Sequence, residues 1–354
     1  MEDNKIKVVV VDDSAFMRTA IERMLREDSS IAIVGSASNG IEAIDKVIKT
    51  HPDVVTMDVE MPVMDGLQAL KEIMRICPTP VLMVSSLTSE GAKVTLDALD
   101  LGAVDYIPKP GSTLSATILS LKNELLNKIH AVAGSKPAHV KLNFSYSKRA
   151  INTSTSKEEQ YIRRAVFIGA STGGPPAVQR IISKLDPNLK APVILAQHMP
   201  QAFTNAFATR MNSLCPIRVK EASNGEILQN SVVYVCPGDH QTILKRLPDG
   251  TYMFEIIEGT PNGESFAPCI NNLFCSGAEL FANKAIGVIL TGMGQDGVEG
   301  LKKIKNAGGI TIAQNQATCV VYGMPKVAIE QKAALYVASI DEIAKEIEVA
   351  LKKQ

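Results

Sequence analysis

Residues 7–14 read KVVVVDDS, four consecutive valines that stop at two aspartates. A β-branched run without polar interruption suits a strand covered on both faces, as happens inside a parallel sheet flanked by helices. The segment that follows, Phe16–Arg26, carries helical period, and the alternation then repeats. Short strand-like runs at Ile31–Gly35, Asp53–Met57, Pro80–Val84 and Ala103–Ile107 are separated by helix-period stretches such as Leu67–Ile76. This succession of βα units predicts a doubly wound, five-stranded parallel sheet. Sheets of this kind place their ligand sites outside the carboxyl ends of the strands.

Between Leu125 and Lys157 the pattern dissolves. The stretch holds Lys128, Lys136, Lys141, Lys148, Arg149 and Lys157, no acidic residue, and the polar run INTSTS. It reads as the tail of a helix followed by a flexible basic linker, a reading favoured over a docking site for an acidic partner. Alternation resumes at Tyr161, with strands expected at Arg164–Ala170, Pro192–Gln197, Ile217–Glu221, Val232–Val235, Ala285–Thr291 and Ile310–Gln314. Gln241–Leu247 and Thr251–Ile257 flank the turn sequence Pro248-Asp249-Gly250, so an antiparallel hairpin interrupts the parallel order. The expected architecture is α/β in two domains, residues 1–130 and 161–354, joined by a linker over 131–160. The second domain is a mostly parallel α/β sheet with an antiparallel hairpin.

The chain of 354 residues exceeds one ordinary core, and 37 basic residues balance 37 acidic ones. That neutrality argues against nucleic acid or an anionic membrane as a partner. No apolar run approaches the roughly 18 residues of a spanning helix, and the polar start before Val8 does not resemble a secretory signal. A cytoplasmic location is expected. Six scattered cysteines, without C-x-x-C spacing, suggest neither a zinc site nor a disulfide framework.

Three acidic residues fall at strand ends in the first half: Asp12 and Asp13 after the first strand, Asp58 after the third. Carboxylates converging on one rim repel one another unless a cation is bound, and a hard, oxygen-liganded ion such as Mg²⁺ suits them. Ser85 ends the fourth strand and Lys109-Pro110 follows the fifth. A carboxylate nucleophile, a metal, a hydroxyl and an ammonium group are the parts that accept and hold a phosphoryl group. Taken singly, Asp13 or Ser14 could cap the next helix and Lys109 could be a surface charge.

In the second half, GASTG at 169–173 follows a strand and precedes a helix that opens at Pro175. This is the G-x-S-x-G pattern, in which small neighbours permit a sharp turn that exposes Ser171. A phosphate-cradling loop or a turn without chemistry would look the same. A hydrolytic serine needs a base. Of the five histidines, His198 directly follows a strand and His240 lies in the loop PGDH. Asp296, in GMGQDG after the strand Ala285–Thr291, could orient the imidazole, or could cap the helix that runs through Lys305. The order Ser…His…Asp differs from that of the α/β-hydrolases. GMGQDG also matches G-x-G-x-x-G, the dinucleotide fingerprint. That reading expects an acidic ribose ligand about 20 residues onward, yet no Asp or Glu occurs between Glu299 and Glu330.

VVDDSAFMR, MDVEMPVMDGL, VLMVSSLT and DYIPKP together resemble a response-regulator receiver domain with its flavodoxin-like fold. The resemblance implies phosphorylation at Asp58, Mg²⁺ held by Asp12, Asp13, Asp58 and the backbone carbonyl of Glu60, and Ser85, Tyr106 and Lys109 as switch hydroxyl, switch aromatic and phosphate-binding cation. It also implies a cis Lys109–Pro110 bond. GASTGGPPAV, LAQHMPQAFT, CPGDHQ, LTGMGQDGVEGL and AQNQATCVVYGMP resemble the catalytic domain of the chemotaxis protein-glutamate methylesterases. That resemblance favours His198 over His240, and implies hydrolysis of glutamate methyl esters on chemotaxis receptors, with glutamine deamidation as a second activity. The expected triad is Ser171, His198 and Asp296, with the backbone N–H groups of Thr172 and Met293 as oxyanion donors and no cofactor for the ester chemistry. The expected partners are the receptors and a chemotaxis histidine kinase, with the unphosphorylated receiver covering the esterase cleft of a monomer.

Overall fold

The computed structural model describes residues 5–86, 88–109, 115–135 and 161–353. Pro110, and with it the expected cis bond, lies outside them, as does the expected linker from residue 136 onward. The chain divides into two compact units, Met1–Leu142 and Asn143–Gln354.

The first unit runs β1 (Ile6–Val11), α1 (Ala15–Arg26), β2 (Ile31–Ala37), α2 (Gly40–Thr50), β3 (Val54–Asp58), α3 (Gly66–Ile76), β4 (Val81–Ser85), α4 (Ser89–Asp100), β5 (Asp105–Pro108) and α5 (Ser115–Val132). The strands lie in the order β2-β1-β3-β4-β5, all parallel. Val8–Val11 are wholly buried, as the valine run requires of a strand covered on both faces. Ser14 is the N-cap of α1, accepting from Met17 N at 3.4 Å, so Asp13 is not spent on that cap. The order of the strands reverses between β1 and β3, the place where doubly wound sheets open a crevice.

The second unit continues with β6 (Ala165–Ala170), α6 (Gly174–Ile182), β7 (Val193–Gln197), α7 (Gln201–Leu214), β8 (Arg218–Glu221), β9 (Val232–Val235), β10 (His240–Arg246), β11 (Tyr252–Glu258) and α8 (Ile270–Phe281). It ends with β12 (Ala285–Ile289), α9 (Val298–Asn306), β13 (Ile310–Gln314), α10 (Met324–Glu330), β14 (Tyr336–Ala338) and α11 (Ile343–Lys352). Seven strands form one parallel sheet in the order β14-β13-β12-β6-β7-β9-β8. The hairpin β10–β11 stands apart as its own antiparallel pair. It packs on α8 through the buried Leu244 and Phe254, which join Phe167, Phe274 and Phe281 in one apolar cluster. The chain departs from β6 to β7 on one side and returns to β12 on the other, so the crevice of this unit opens beside β6.

Two features were not expected. The edge strand β14 has only three residues, of which Tyr336 and Val337 are exposed, and carries no run long enough to announce it. Lys128, counted above in the basic stretch, lies in α5 and points inward: its Nζ is 3.2 Å from Asp105 and 2.9 Å from Glu124.

Candidate active site

Loops leaving β12, β6 and β7 carry Asp296, Ser171 and His198, and these three strands are neighbours. Ser171 follows β6 directly, and its N–H donates to Thr291 O at 3.0 Å. Gly173 then takes φ +73°, opening α6, and a Cβ there would come within 2.5 Å of Val320. Gly292 permits the opposite approach, because a Cβ on it would stand 2.6 Å from the Cβ of Ser171. His198 is tied to the same strand by its N–H, which donates to Ala170 O at 3.0 Å.

The side chains meet in series. His198 Nδ1 is 3.1 Å from Ser171 Oγ, and His198 Nε2 is 2.8 Å from Asp296 Oδ2. An ionised carboxylate at Nε2 keeps the ring proton there and leaves the lone pair of Nδ1 facing the serine hydroxyl. Asp296 is buried and held by more than the imidazole. Its Oδ2 accepts from Ile270 N at 2.7 Å, while Oδ1 accepts from Asn271 N at 3.0 Å, Gly297 N at 2.9 Å and Cys269 Sγ at 3.4 Å. Burial alone would raise this carboxyl, but the hydrogen bond and charge of His198 and the amides of Ile270 and Asn271 outweigh it and hold it below the usual carboxylate range. Asp296 is not the cap of the helix that follows it: α9 has Gly297 at its N-cap, without a side-chain cap. The carboxylate serves the start of α8 instead.

Thr172 and Met293 flank Ser171 and Gly292, and neither backbone N–H finds an acceptor among the described residues. The peptide of Thr172 is fixed on its carbonyl side by Thr291 Oγ1, which donates to it at 3.0 Å. His240 engages Gly238 O through Nδ1 at 2.7 Å, so among the two candidate bases the bond to the serine belongs to His198. Gln314, which ends β13 where a dinucleotide site would need an acid, bonds Thr291 N at 2.8 Å and Thr318 O at 2.7 Å.

In the first unit, Asp12, Asp13 and Asp58 bring carboxylate oxygens within 4.8 Å of one another. Lys109 Nζ lies 2.7 Å from Asp58 Oδ2 and 3.2 Å from Asp12 Oδ2. Asp12 Oδ2 is buried, and its charged neighbour is that same ammonium. Burial would depress the Lys109 ammonium, but its bond to Asp58 and the charges of Asp58 and Asp12 raise it above the usual lysine range. Three carboxylates facing a single ammonium are left with excess negative charge, and together they make a donor set suited to a hard divalent cation. The Glu60 carbonyl, just beyond β3, accepts from no described N–H. Ser85 Oγ donates to Gly91 O at 3.3 Å, and Tyr106 is buried.

With both sites in view, the comparisons decide the family. The sequence profile described as CheB methylesterase matches residues 166–347, and that of the response regulator receiver domain matches residues 8–118. The chain belongs to the CheB methylesterase family. A protein-glutamate methylesterase/protein-glutamine glutaminase of Lawsonia intracellularis is 45% identical over 361 residues, covering 98% of this chain and 99% of its own. One of the same name from Pyrococcus abyssi is 42% identical over 340 residues, covering 96% and 92%. The crystal structure of the Thermotoga maritima CheB methylesterase catalytic domain is 39% identical, with a TM-score of 0.51, and covers 52% of this chain and 97% of its own. The chain is thus a hydrolase with a receiver domain attached. Among the described residues no helix is long and apolar enough to cross a membrane.

Three residues of this CheB-family site were given no role above: Phe266 and Cys269 lie outside the quoted motifs, and Gln241 ends the motif CPGDHQ. Phe266 stacks on His198 with ring centroids 4.1 Å apart and planes at 11°. Cys269 donates to Asp296, and burial pushes its thiol up to about 12. Gln241 is buried and hydrogen-bonds the backbone of both. The usable signals were that motif for Gln241 and, for α8, the helical spacing of Ile270, Leu273, Phe274, Gly277 and Phe281.

Proposed function

We propose that residues 161–354 hydrolyse γ-glutamyl methyl esters on chemotaxis receptors, and deamidate receptor glutamines, by a Ser171–His198–Asp296 triad. One observation carries this reading: the unbroken chain of hydrogen bonds from hydroxyl to imidazole to carboxylate, at 3.1 Å and 2.8 Å. His198 Nδ1 takes the proton of Ser171 as Oγ attacks the ester carbonyl. The oxyanion of the tetrahedral intermediate is received by the N–H groups of Thr172 and Met293, each such donor contributing about 3 kcal/mol to barrier lowering. Collapse breaks the carbonyl–methoxy bond, methanol leaves with the proton from Nδ1, and an acyl-serine remains. Water then attacks, giving one proton to Nδ1, Ser171 departs with that proton, and the carboxylic acid released loses the other to solvent to restore the carboxylate. Asp296 stays ionised throughout and stabilises the imidazolium. An amide follows the same path with ammonia as the leaving group. Ser171→Ala should abolish methanol release from a methylated receptor without unfolding the protein; retained release would refute the assignment.

Residues 1–130 serve as the regulator, joined through a basic linker over 131–160. Asp58 accepts a phosphoryl group from a chemotaxis histidine kinase, Lys109 pairs with the phosphoryl oxygens, and Ser85 and Tyr106 change position in response. Asp12, Asp13, Asp58 and the Glu60 carbonyl would hold Mg²⁺, which supplies charge neutralisation at the phosphoryl group. The unphosphorylated receiver restrains the hydrolase of a cytoplasmic monomer, and phosphorylation releases it. Removal of residues 1–150 should raise esterase activity; a truncated protein no faster than its unphosphorylated parent would exclude restraint. A DNA-binding output would need a helix-turn-helix with a basic face, whereas the second unit is a seven-stranded sheet.

A further inference from the structure

Gln241 is 1% exposed, and all four hydrogen-bonding positions of its amide are in use. Nε2 donates to Gly259 O at 3.2 Å and to Phe266 O at 2.8 Å. Oε1 accepts from Cys269 N at 3.0 Å and from Asn272 Nδ2 at 3.2 Å. The first two partners bracket the loop between β11 and α8, and the second two lie at the start of α8. The middle of the loop is closed back as well, since Glu264 Oε1 accepts from Asn272 Nδ2 at 2.9 Å. One buried amide therefore fixes both a loop and the end of a helix.

Each of these reaches the triad. The first amides of α8 bind Asp296, as described above. The loop delivers Phe266, whose ring lies flat on the imidazole of His198 while remaining 41% exposed. A phenyl ring so exposed is not there to fill a core. The two hydrogen bonds of His198 fix the imidazole within its own plane, but they resist tilting out of that plane only weakly, because they bend easily. A parallel ring in contact blocks that tilt and keeps water off one face.

We infer that Phe266 is a positioning residue for His198 and that Gln241 acts through it as the clamp of the loop. The inference rests on the proposed triad, in which His198 is the base. Its loss would leave receptor binding intact and slow the proton transfer itself.

The test uses the full chain and a small serine-directed fluorophosphonate, which reports the reactivity of Ser171 without engaging a receptor-binding surface. Phe266→Ala and Phe266→Leu should lower the labelling rate about ten- to a hundredfold, the scale of a sub-ångström to 1 Å misplacement of a reacting group. Phe266→Tyr and Phe266→Trp, which keep a flat ring, should stay within about threefold of the parent. Gln241→Met should slow the parent more than it slows Phe266→Ala, because in that variant one of its two routes to the triad, the loop that carries Phe266, has already lost its contact. If Gln241→Met does not fold, the Phe266 series alone decides the matter, since that side chain is partly exposed. Labelling of Phe266→Ala at the parent rate, or of Phe266→Leu at the rate of Phe266→Tyr, overturns the positioning role. Full additivity of the two changes overturns the clamp. Ser171→Ala is run beside them: label on that variant overturns the proposed nucleophile and this inference with it, whereas a silent Ser171→Ala with an unimpaired Phe266→Ala overturns the inference alone.

Discussion

Asp296 binds Ile270 N as closely as it binds His198, with Oδ2 accepting from the amide at 2.7 Å and from the imidazole at 2.8 Å. The carboxylate that orients the proposed base thus also occupies the amino end of α8, where unpaired N–H groups and the helix dipole favour negative charge. Helix and carboxylate stabilise one another, and the imidazole inherits a fixed partner. Imidazole and helix amides together support an anion in the interior.

Substitution Asp296→Asn separates these duties. The amide oxygen can still accept from Asn271 and Gly297, but the NH₂ group faces both Ile270 N and His198 Nε2. Donor would then meet donor, and the imidazole proton would move to Nδ1, where it blocks acceptance from Ser171. We expect kcat to fall by about four orders of magnitude, the effect of the wrong tautomer in such triads, with KM little changed. Stability should fall by about 1–3 kcal/mol for the unsatisfied buried donor. Steady-state methanol release and urea denaturation would check the two numbers separately.

The same carboxylate makes the second unit sensitive to acid. Its pKa in the folded chain lies below the usual value, whereas the unfolded chain has the ordinary value of about 3.9. As pH falls the unfolded state therefore takes up the proton first. The stabilisation is complete above about pH 4 and is lost as pH drops through the folded value. Urea midpoints for the second unit should decline more steeply below pH 4 in the parent than in Asp296→Asn; parallel declines would show that other carboxylates carry the effect.

Burial accounts for what could be read beforehand and what could not. Strands such as Val8–Val11 are wholly enclosed, so every position must be apolar and the run announces itself. Asp12, Asp58, Ser171 and His198 sit at or just beyond strand ends, where an abrupt polar residue stands out against such a run. By contrast β14 is a three-residue edge strand, half in solvent, with no such constraint on its residues. Phe266 acts through a contact made across tens of residues and nothing local marks it, while Gln241 ends the motif CPGDHQ but its partners lie 18 to 31 residues away. The role of Asp296 at α8 was hidden for the same reason, because a cap supplied from another segment leaves no spacing to detect.

Gly292→Ala tests how tightly the serine turn is enclosed. The added methyl would stand 2.6 Å from the Cβ of Ser171 and 2.5 Å from Met324 Sδ. The methionine can yield, being flexible, but the serine turn cannot without moving its hydroxyl. Labelling by a fluorophosphonate should slow at least about a hundredfold, with the circular dichroism spectrum unchanged.

Chelation should separate the two units functionally. The proposed triad of Ser171, His198 and Asp296 calls for no metal, while Asp12, Asp13 and Asp58 form the acidic cluster of the receiver. A small phosphodonor with Mg²⁺ should raise the esterase rate of the full chain several-fold, and excess EDTA should remove the rise while leaving the basal rate intact. Asp58→Asn should show the basal rate under every condition. A basal rate that collapses with EDTA would contradict the assignment of the metal to the receiver alone.

Lys128 offers a test inside the first unit. Its ammonium lies 3.2 Å from Asp105, 2.9 Å from Glu124 and 5.2 Å from the centre of the Tyr106 ring, and donates to Tyr106 O. Burial would lower this lysine, but the charges of Asp105 and Glu124 outweigh it and hold its pKa above the usual range. Lys128→Met keeps the aliphatic stem and removes only the charge, leaving Asp105 buried without its cation. Breaking such a pair from one side costs about 3–5 kcal/mol, a loss that denaturation of the first unit would register. The double change Lys128→Met with Asp105→Asn removes the stranded charge and should recover most of it. If the double variant is as unstable as the single one, the ammonium matters for its bond to the Tyr106 carbonyl and not for the ion pair.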